Sequence, residues 1–181
     1  MNKTWIHFFN LADYEEEEQW LREKHNDGWK LVKFLPPCFY TFESCSPEDV
    51  IYRVDYKNSR QTADYMQMVQ DFGWEFFTQC VGWLYFRKPA ADVDTEADGE
   101  LFSDGESRVE MVQRIARTRL IPLTIIFFSC IIPNLINAIN GVMGVYSYIL
   151  TDFFGVMFII YVYMIIYNGI KLTKIRNRYR S

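Results

Sequence analysis

Histidine and cysteine are the side chains of this 181-residue chain that most readily carry out catalysis or hold a metal. The two histidines are His7 and His25, and neither has a nucleophile pattern or metal-ligand spacing around it. The four cysteines, at positions 38, 45, 80 and 130, form no CxxC pair. We interpret the histidines as structural or surface residues and the cysteines as reduced thiols. The sequence therefore predicts no enzyme activity, no catalytic residues, no cofactor and no metal site.

A pair of opposite charges in an apolar strand is the other candidate for chemistry. In VIYRVDY (50–56), Arg53 and Asp55 fall on one face, because successive side chains of a strand alternate between faces. If helices cover the Val/Tyr face, both charges lie in the middle of an open face, beside Phe8 of the first strand. The simpler interpretation is a local charge pair on a solvated sheet. The more specific one is a face of Phe8, Arg53 and Asp55 that docks a partner, another protomer or a small ligand.

The elements that would position this face occur twice, at an offset of 45 residues. Strand-like WIHFFNL (5–11) corresponds to VIYRVDY (50–56), and a helical pattern follows each. Each helix ends before a Gly-Trp pair, at Gly28 or Gly73, where glycine suits the left-handed residue after a helix. The second helix, about 60–72, has an apolar stripe predicted to pack on the sheet. The stripe consists of Tyr65, Met66, Val69 and Phe72.

An aromatic strand closes each half. These strands are CFYTF (38–42) and WLYFR (83–87), in which Tyr40 corresponds to Tyr85. The resulting order, β-α-β-β-α-β, predicts an α+β fold, with a ferredoxin-like domain over residues 1–88.

The segment that follows is acidic and poor in large apolar residues. We predict a solvated linker over 89–103. Ser103-x-x-Glu106 and Ser107-x-x-Glu110 are helix-start patterns, so a juxtamembrane helix is expected over 104–119.

Residues 120–170 contain no Lys or Arg and only one acidic residue, Asp152. A bilayer crossing takes about 20 apolar residues, so this segment predicts transmembrane helices at 120–140 and 147–170. A basic tail, 171–181, follows them. Bases flank the pair and are missing from the loop between its helices, which predicts that both termini are cytoplasmic. The residues on which this orientation depends are Arg114, Arg117, Arg119, Lys171, Lys174 and Arg176.

Three asparagines, Asn134, Asn137 and Asn140, lie on one broad side of the first predicted span. A polar side chain in lipid needs a partner, so this side is expected to pack against the second span, another protomer or water. Structural packing is the simpler interpretation, and a substrate path is the alternative. Two helices cannot enclose a path, so transport would require a homo-oligomer.

Several motifs resemble the bacterial family known as domain of unknown function 2812. They are WL…GW in the first half, IYRVDY, the second GW, WLYFRK, and LFSDGESRVEMVQRI before the membrane. They cover about residues 5–115, and Lys24 departs from the apolar residue usual at its position. The resemblance implies a bacterial membrane protein with a cytoplasmic domain and transmembrane helices, associated with neighbouring PadR-like transcriptional regulators. It implies no established activity and no catalytic residues.

Charge and composition limit the functions that remain. A net charge of −4 argues against nucleic-acid binding, since a phosphate-binding face needs clustered bases. We expect a membrane-anchored regulatory or sensory protein that binds a protein or small ligand through its cytoplasmic domain. The alternative is a small oligomeric transporter or an accessory subunit of one.

Overall fold

The computed structural model describes residues 1–56, 62–101, 105–141 and 144–180. Ser103, predicted to start a helix, lies outside these ranges. The chain divides into two compact units, Met1–Met111 and Val112–Ser181. We call the first unit the front domain.

Within the described ranges the front domain contains six strands, two complete α-helices and the first turns of the helix Gly105–Ile115. The strands are β1 Asn2–Ile6, β2 Trp29–Leu35, β3 Phe39–Ser44, β4 Val50–Tyr56, β5 Glu75–Cys80 and β6 Trp83–Pro89. The helices are α1 Tyr14–Asn26 and α2 Thr62–Asp71, and two 3₁₀ turns follow β6 at Ala90–Asp92 and Glu96–Gly99.

The strands form two antiparallel three-stranded sheets, with the orders β1-β3-β2 and β4-β6-β5. Each sheet comes from one β-α-β-β half, and in both sheets the last strand of the half lies between the other two. The two halves therefore share the same strand order. The α+β class is found, but the ferredoxin-like order is not confirmed. A strand directly follows each helix, where the sequence analysis had predicted only the later aromatic strand. Both additional strands, β2 and β5, lie at sheet edges.

A glycine of positive φ separates each helix from the strand after it. Gly28 has a φ of 83° and Gly73 a φ of 82°, a conformation that costs other residues steric strain. The chain therefore reverses without a loop, and Trp29 starts β2 at once. The first strand also differs from its prediction, since β1 ends at Ile6.

The outer face of the second sheet packs on α2 around one apolar cluster. Its buried members are Ile51, Tyr65, Val69, Trp74, Leu84 and Phe86. Tyr65 and Val69 occupy the core as predicted, whereas Phe72 is 67% exposed. Trp74, placed beyond the helix by the turn at Gly73, fills the core instead.

Helix α1 contacts both sheets. Its Trp20 ring lies 5.1 Å from the ring of Tyr40 in β3, in an edge-to-face arrangement. Near the C-terminal end of the helix, His25 Nδ1 lies 2.8 Å from the hydroxyl of Tyr52 in β4. The second sheet is thus covered on both faces, and six of the seven β4 residues are buried.

Parts of the acidic segment after β6 pack on the domain, while residues 91, 92, 94, 95 and 98 are exposed. Val93 and Leu101 lie against the apolar cluster of α2 and the second sheet. A Cβ added to Gly99 would lie 3.4 Å from Val93 and 3.6 Å from Ile51, so the backbone approaches closely there. The segment that was predicted to be a solvated linker therefore contacts the domain through its few apolar residues.

The remaining helices form two long rods. The first contains α3 Gly105–Ile115, α4 Ile121–Ile126 and α5 Ile132–Ile139, separated by π-helical turns at Ala116–Leu120 and Phe127–Ile131. The second is α6 Ser147–Arg180, after a 3₁₀ turn at Gly144–Tyr146. Segments Ser107–Ile139 and Ser147–Tyr179, each 33 residues long, have apolar windows of mean hydropathy 1.9 and 2.2. Those windows are only 11% and 0% buried, unlike a core helix of a soluble protein, so both helices are long and apolar enough to cross a membrane.

Candidate functional site

Two neighbouring glutamates of α1 make different contacts. Glu17 is 8% exposed, and its Oε1 accepts hydrogen bonds from Tyr40 at 2.8 Å and Tyr85 at 2.9 Å. Burial raises the pKa of Glu17 to about 7, although both hydrogen bonds favour the charged form. Burial and the neighbouring carboxylate also raise the pKa of each tyrosine. Glu17 therefore joins the two sheets through a carboxyl group that titrates near neutral pH.

Glu18 belongs to what we call the charge network, which consists of Glu18, Arg53, Glu100 and Arg108. Arg53 Nη1 lies 3.4 Å from Glu18 Oε2, and Arg53 Nη2 lies 3.0 Å from Glu100 Oε1. The other oxygen of Glu100 contacts the Arg108 guanidinium. Glu100 therefore bridges an arginine of β4 and an arginine of α3, and two cations face two anions.

Glu18 also protects the edge of the second sheet. β4 is an edge strand, and unpaired N–H groups at such an edge can pair with another chain. Glu18 Oε1 accepts a hydrogen bond from the Val54 N–H at 2.8 Å. Burial raises the pKa of Glu18 to about 7, while Arg53, the Val54 N–H and Arg108 act to lower it.

The space beside the charge network is too small for a ligand. A cavity of about 10 Å³ lies there, lined by network residues and by Tyr14, Val54, Leu101 and Met111. Such a volume holds about one water molecule. The network is therefore a closed contact between elements of the front domain.

The predicted partner face is not an open face. Asp55 is fully buried at 0% exposure, and the Arg53 side chain is 22% exposed and paired with two glutamates. Phe8 lies beyond the end of β1 and is 70% exposed. The three residues therefore do not form one exposed surface, because helices cover both sides of β4.

A larger polar opening, which we call the cleft, lies where the two sheets meet. Its volume is about 270 Å³. The lining residues come from α1, both sheets and the β3–β4 loop, and they are His25, Lys30, Cys45, Ser46, Glu48, Val50, Glu75, Arg87 and Pro89. Two cations and two carboxylates are among them, so the fixed charges of the lining balance.

A buried tyrosine links two sides of the cleft. Tyr52 is 1% exposed, and its hydroxyl lies 2.8 Å from His25 Nδ1. Tyr52 belongs to β4 and His25 to α1, so this hydrogen bond joins a strand of the second sheet to the helix at the cleft. Burial, followed by the charge of Arg87, lowers the pKa of His25 and favours the neutral imidazole.

The cations of the cleft have carboxylate partners at its rim. Arg87 forms a two-point pair with Glu75, at 2.7 and 2.5 Å, and Lys30 Nζ lies 2.8 Å from Glu43 Oε1. The Arg87 side chain is 12% exposed, whereas that of Glu75 is 60% exposed. The hydrogen bonds that Arg87 donates hold the pKa of Glu75 below its usual range. The acidic partner is therefore the more exposed side of this pair.

The predicted membrane residues lie on the two long helices. Asn134 Nδ2 donates to the Cys130 carbonyl at 2.8 Å, and Asn137 and Asn140 are exposed. The sequence analysis did not single out Asn168 of α6, which is 1% exposed and donates to the Met164 carbonyl at 2.7 Å.

The rods also contact each other. The Ser147 hydroxyl donates to the Ala138 carbonyl, and the Phe127 ring packs 5.3 Å from that of Phe158. The predicted orientation residues flank the apolar windows on these rods. Arg114 lies in the last turn of α3, and Arg117 and Arg119 occupy the first π-helical turn. Lys171, Lys174 and Arg176 lie in the last turns of α6.

No cluster within the described ranges combines three or more His, Cys, Asp or Glu side chains in a position to hold a metal ion. The candidate sites are therefore the charge network and the cleft. Apart from Arg53, the sequence patterns indicate neither site. The equivalent positions of Tyr40 and Tyr85 in the two halves are the one sequence signal that points to the buried hydrogen bonds of Glu17.

Taken together, the fold and these sites define a class of protein: an α+β domain of two β-α-β-β halves, followed by two helices long enough to cross a membrane. The chain belongs to the family of proteins of unknown function DUF2812, whose model matches residues 13–124. That match covers the charge network, most of the front domain and the start of the first apolar rod. Searches of curated proteins and of solved structures give no match to the chain.

Proposed function

We propose that the chain is a membrane-anchored regulatory or sensory protein of the bacterial cell membrane. Glu100 is the observation that carries this proposal, because its carboxylate contacts both Arg53 of β4 and Arg108 of α3. The helix that carries Arg108 continues to Ile139 as an apolar rod. A change in the front domain can therefore reach the membrane helix through one side chain, which is what a regulatory protein requires.

Bases flanking the two apolar rods support an orientation with both termini in the cytoplasm. Arg114, Arg117 and Arg119 precede the first apolar window, and Lys171, Lys174 and Arg176 follow the second. Short loops rich in Lys and Arg stay on the cytoplasmic side. The front domain then meets cytoplasmic ligands and proteins, and a PadR-like regulator is one partner to look for.

Crosslinking in native membranes tests the regulatory role. Wild type, Glu100→Gln and Asp27→Asn would be crosslinked in cells, and the captured partners quantified. Asp27→Asn is the matched control, since Asp27 forms an exposed ion pair with Lys24 at 3.3 Å. We expect Glu100→Gln to change partner recovery several-fold and Asp27→Asn to leave it unchanged. Equal recovery from all three proteins would contradict the proposal.

A small oligomeric transporter, or an accessory subunit of one, is the second candidate function. Exposure of Asn137 and Asn140 on an apolar rod favours it, because amide groups in lipid need a polar partner. That partner would be a second copy of the chain. Light scattering of the protein in detergent tests this candidate, and a strict monomer at all concentrations would contradict it.

A further inference from the structure

We propose that the cleft is a binding site for a small zwitterion of the α-amino-acid type. Such a ligand would place its carboxylate between Lys30 and Arg87 and its ammonium group against Glu48 and Glu75. The proposal names the ligand class for the sensory role proposed above and rests on that role.

The size of the cleft suits a small ligand. Pockets for drug-sized molecules measure about 300–1,000 Å³. The cleft, at about 270 Å³, falls just below that range. Its walls come from both sheets, so a ligand bound there would contact the two halves of the front domain together.

The cations keep donors for an anionic group. A guanidinium has five N–H donors, and the bonds to Glu75 use two of those of Arg87. Lys30 has three donors and one bond, to Glu43. Arg87 is also held in place, since its guanidinium carbon lies 5.1 Å from the centre of the Phe77 ring. A preformed cation of this kind binds a carboxylate with little loss of side-chain entropy.

The acids select against a simple anion. Glu48 and Glu75 lie in the same lining as Lys30 and Arg87, so an anion alone would meet two carboxylates, and a cation alone two bases. A zwitterion can satisfy both pairs, which gives specificity through charge complementarity. Val50 and Pro89 are apolar residues of the same lining, and a short aliphatic side chain of the ligand would lie beside them.

Calorimetry on the full-length protein in nanodiscs tests the site. The probes are L-alanine, L-leucine and L-glutamine, with 4-methylpentanoate and 3-methylbutylamine as analogues of leucine that lack one charged group each. We expect at least one amino acid to bind with a Kd below about 1 mM, and each analogue to bind at least about tenfold more weakly than leucine. No binding of any amino acid at about 10 mM, or equal binding of leucine and 4-methylpentanoate, would overturn the proposal.

Two variants locate the binding. Glu48→Gln changes an exposed residue, and we expect it to weaken amino-acid binding at least about tenfold, or about 1.4 kcal/mol. Asp27→Asn, outside the cleft lining, should bind as wild type does. Unchanged binding by Glu48→Gln would contradict the site. Calorimetry measures amino-acid binding without a protein partner, whereas the crosslinking experiment measures partner recovery. A failure of the ligand proposal can therefore be distinguished from a failure of the proposed regulatory role.

Discussion

Tyr40 and Tyr85 donate hydrogen bonds to the same oxygen atom, Oε1 of Glu17, at 2.8 and 2.9 Å. The two tyrosines occupy equivalent positions of the two β-α-β-β halves, in β3 and β6. One helix thereby joins two sheets that share no strand, through a buried carboxyl group. A buried group whose pKa lies near 7 makes the stability of this junction dependent on pH.

Glu17→Gln should remove part of that pH dependence. The pKa of Glu17 is raised from 4.5 to about 7 in the folded state, so its stabilising contribution is full below pH 4.5 and lost as the pH rises through 7. Wild type should lose up to about 3 kcal/mol more of its unfolding free energy than Glu17→Gln between pH 5 and pH 8. Gln keeps an oxygen acceptor for both tyrosines. Urea unfolding followed by tryptophan fluorescence measures this, because all five tryptophans lie in the front domain.

Parallel pH profiles of the two proteins would contradict the assignment. Glu18, whose pKa is also raised to about 7, contributes equally to both profiles and cancels in the difference.

His25 should titrate below its ordinary pKa, because burial, followed by the charge of Arg87, disfavours the imidazolium form. The Tyr52 hydroxyl lies 2.8 Å from His25 Nδ1, and we predict that it donates its proton there, which would stabilise the neutral imidazole further. Tyr52→Phe should therefore raise the pKa of His25 measurably. NMR titration is direct, since the chain has two histidines, and His7→Gln assigns the signals. An unchanged His25 titration in Tyr52→Phe would show that the hydroxyl is not the donor.

Leu21→Ala should destabilise the front domain by about 2–5 kcal/mol, because it leaves a cavity where α1 meets the sheets. Leu21 is 0% exposed. Met68→Ala on α2 is the matched control, since Met68 is 48% exposed and should change stability by no more than about 0.5 kcal/mol. The same urea titration measures both. Equal effects of the two substitutions would contradict the position of α1.

Reporter fusions test the orientation proposed from the flanking bases. A fluorescent protein joined after residue 181 should be bright, and alkaline phosphatase joined at the same position should be inactive. Alkaline phosphatase inserted at Gly141, in the loop between the two apolar rods, should be active. The physical reason is that bases flanking membrane helices are retained on the cytoplasmic side, and here the flanking bases lie at 114–119 and 171–176. An active phosphatase at the C-terminus would contradict it.

The repeat and the apolar helices could be predicted from sequence because each leaves a local pattern. Glycine at 28 and at 73 marks both helix ends, and β4 and β6 were located from their apolar residues. The edge strands β2 and β5 were missed since edge positions tolerate Lys, Gln and Glu, which hide the strand pattern.

The sites were harder to predict because their residues are distant in sequence. Glu18 lies in a run of four glutamates, and nothing local distinguishes it from its neighbours. Its pairing with Arg53 depends on α1 crossing the edge of β4, and Glu100 depends on a segment whose composition predicts solvation. Alternation along β4 correctly placed Arg53 and Asp55 on one face but could not show that this face is covered.

Hydrogen–deuterium exchange of α3 in Glu100→Gln tests the central claim most directly, namely that the charge network couples the front domain to the membrane helix. The full-length protein in nanodiscs would be compared with Glu100→Gln and Asp27→Asn. Glu100→Gln should speed the exchange of amides in Gly105–Ile115 by at least about tenfold, because Arg108 loses the Glu100 carboxylate that joins it to Arg53. Asp27→Asn should exchange as wild type does. Unchanged protection of α3 in Glu100→Gln would contradict the account.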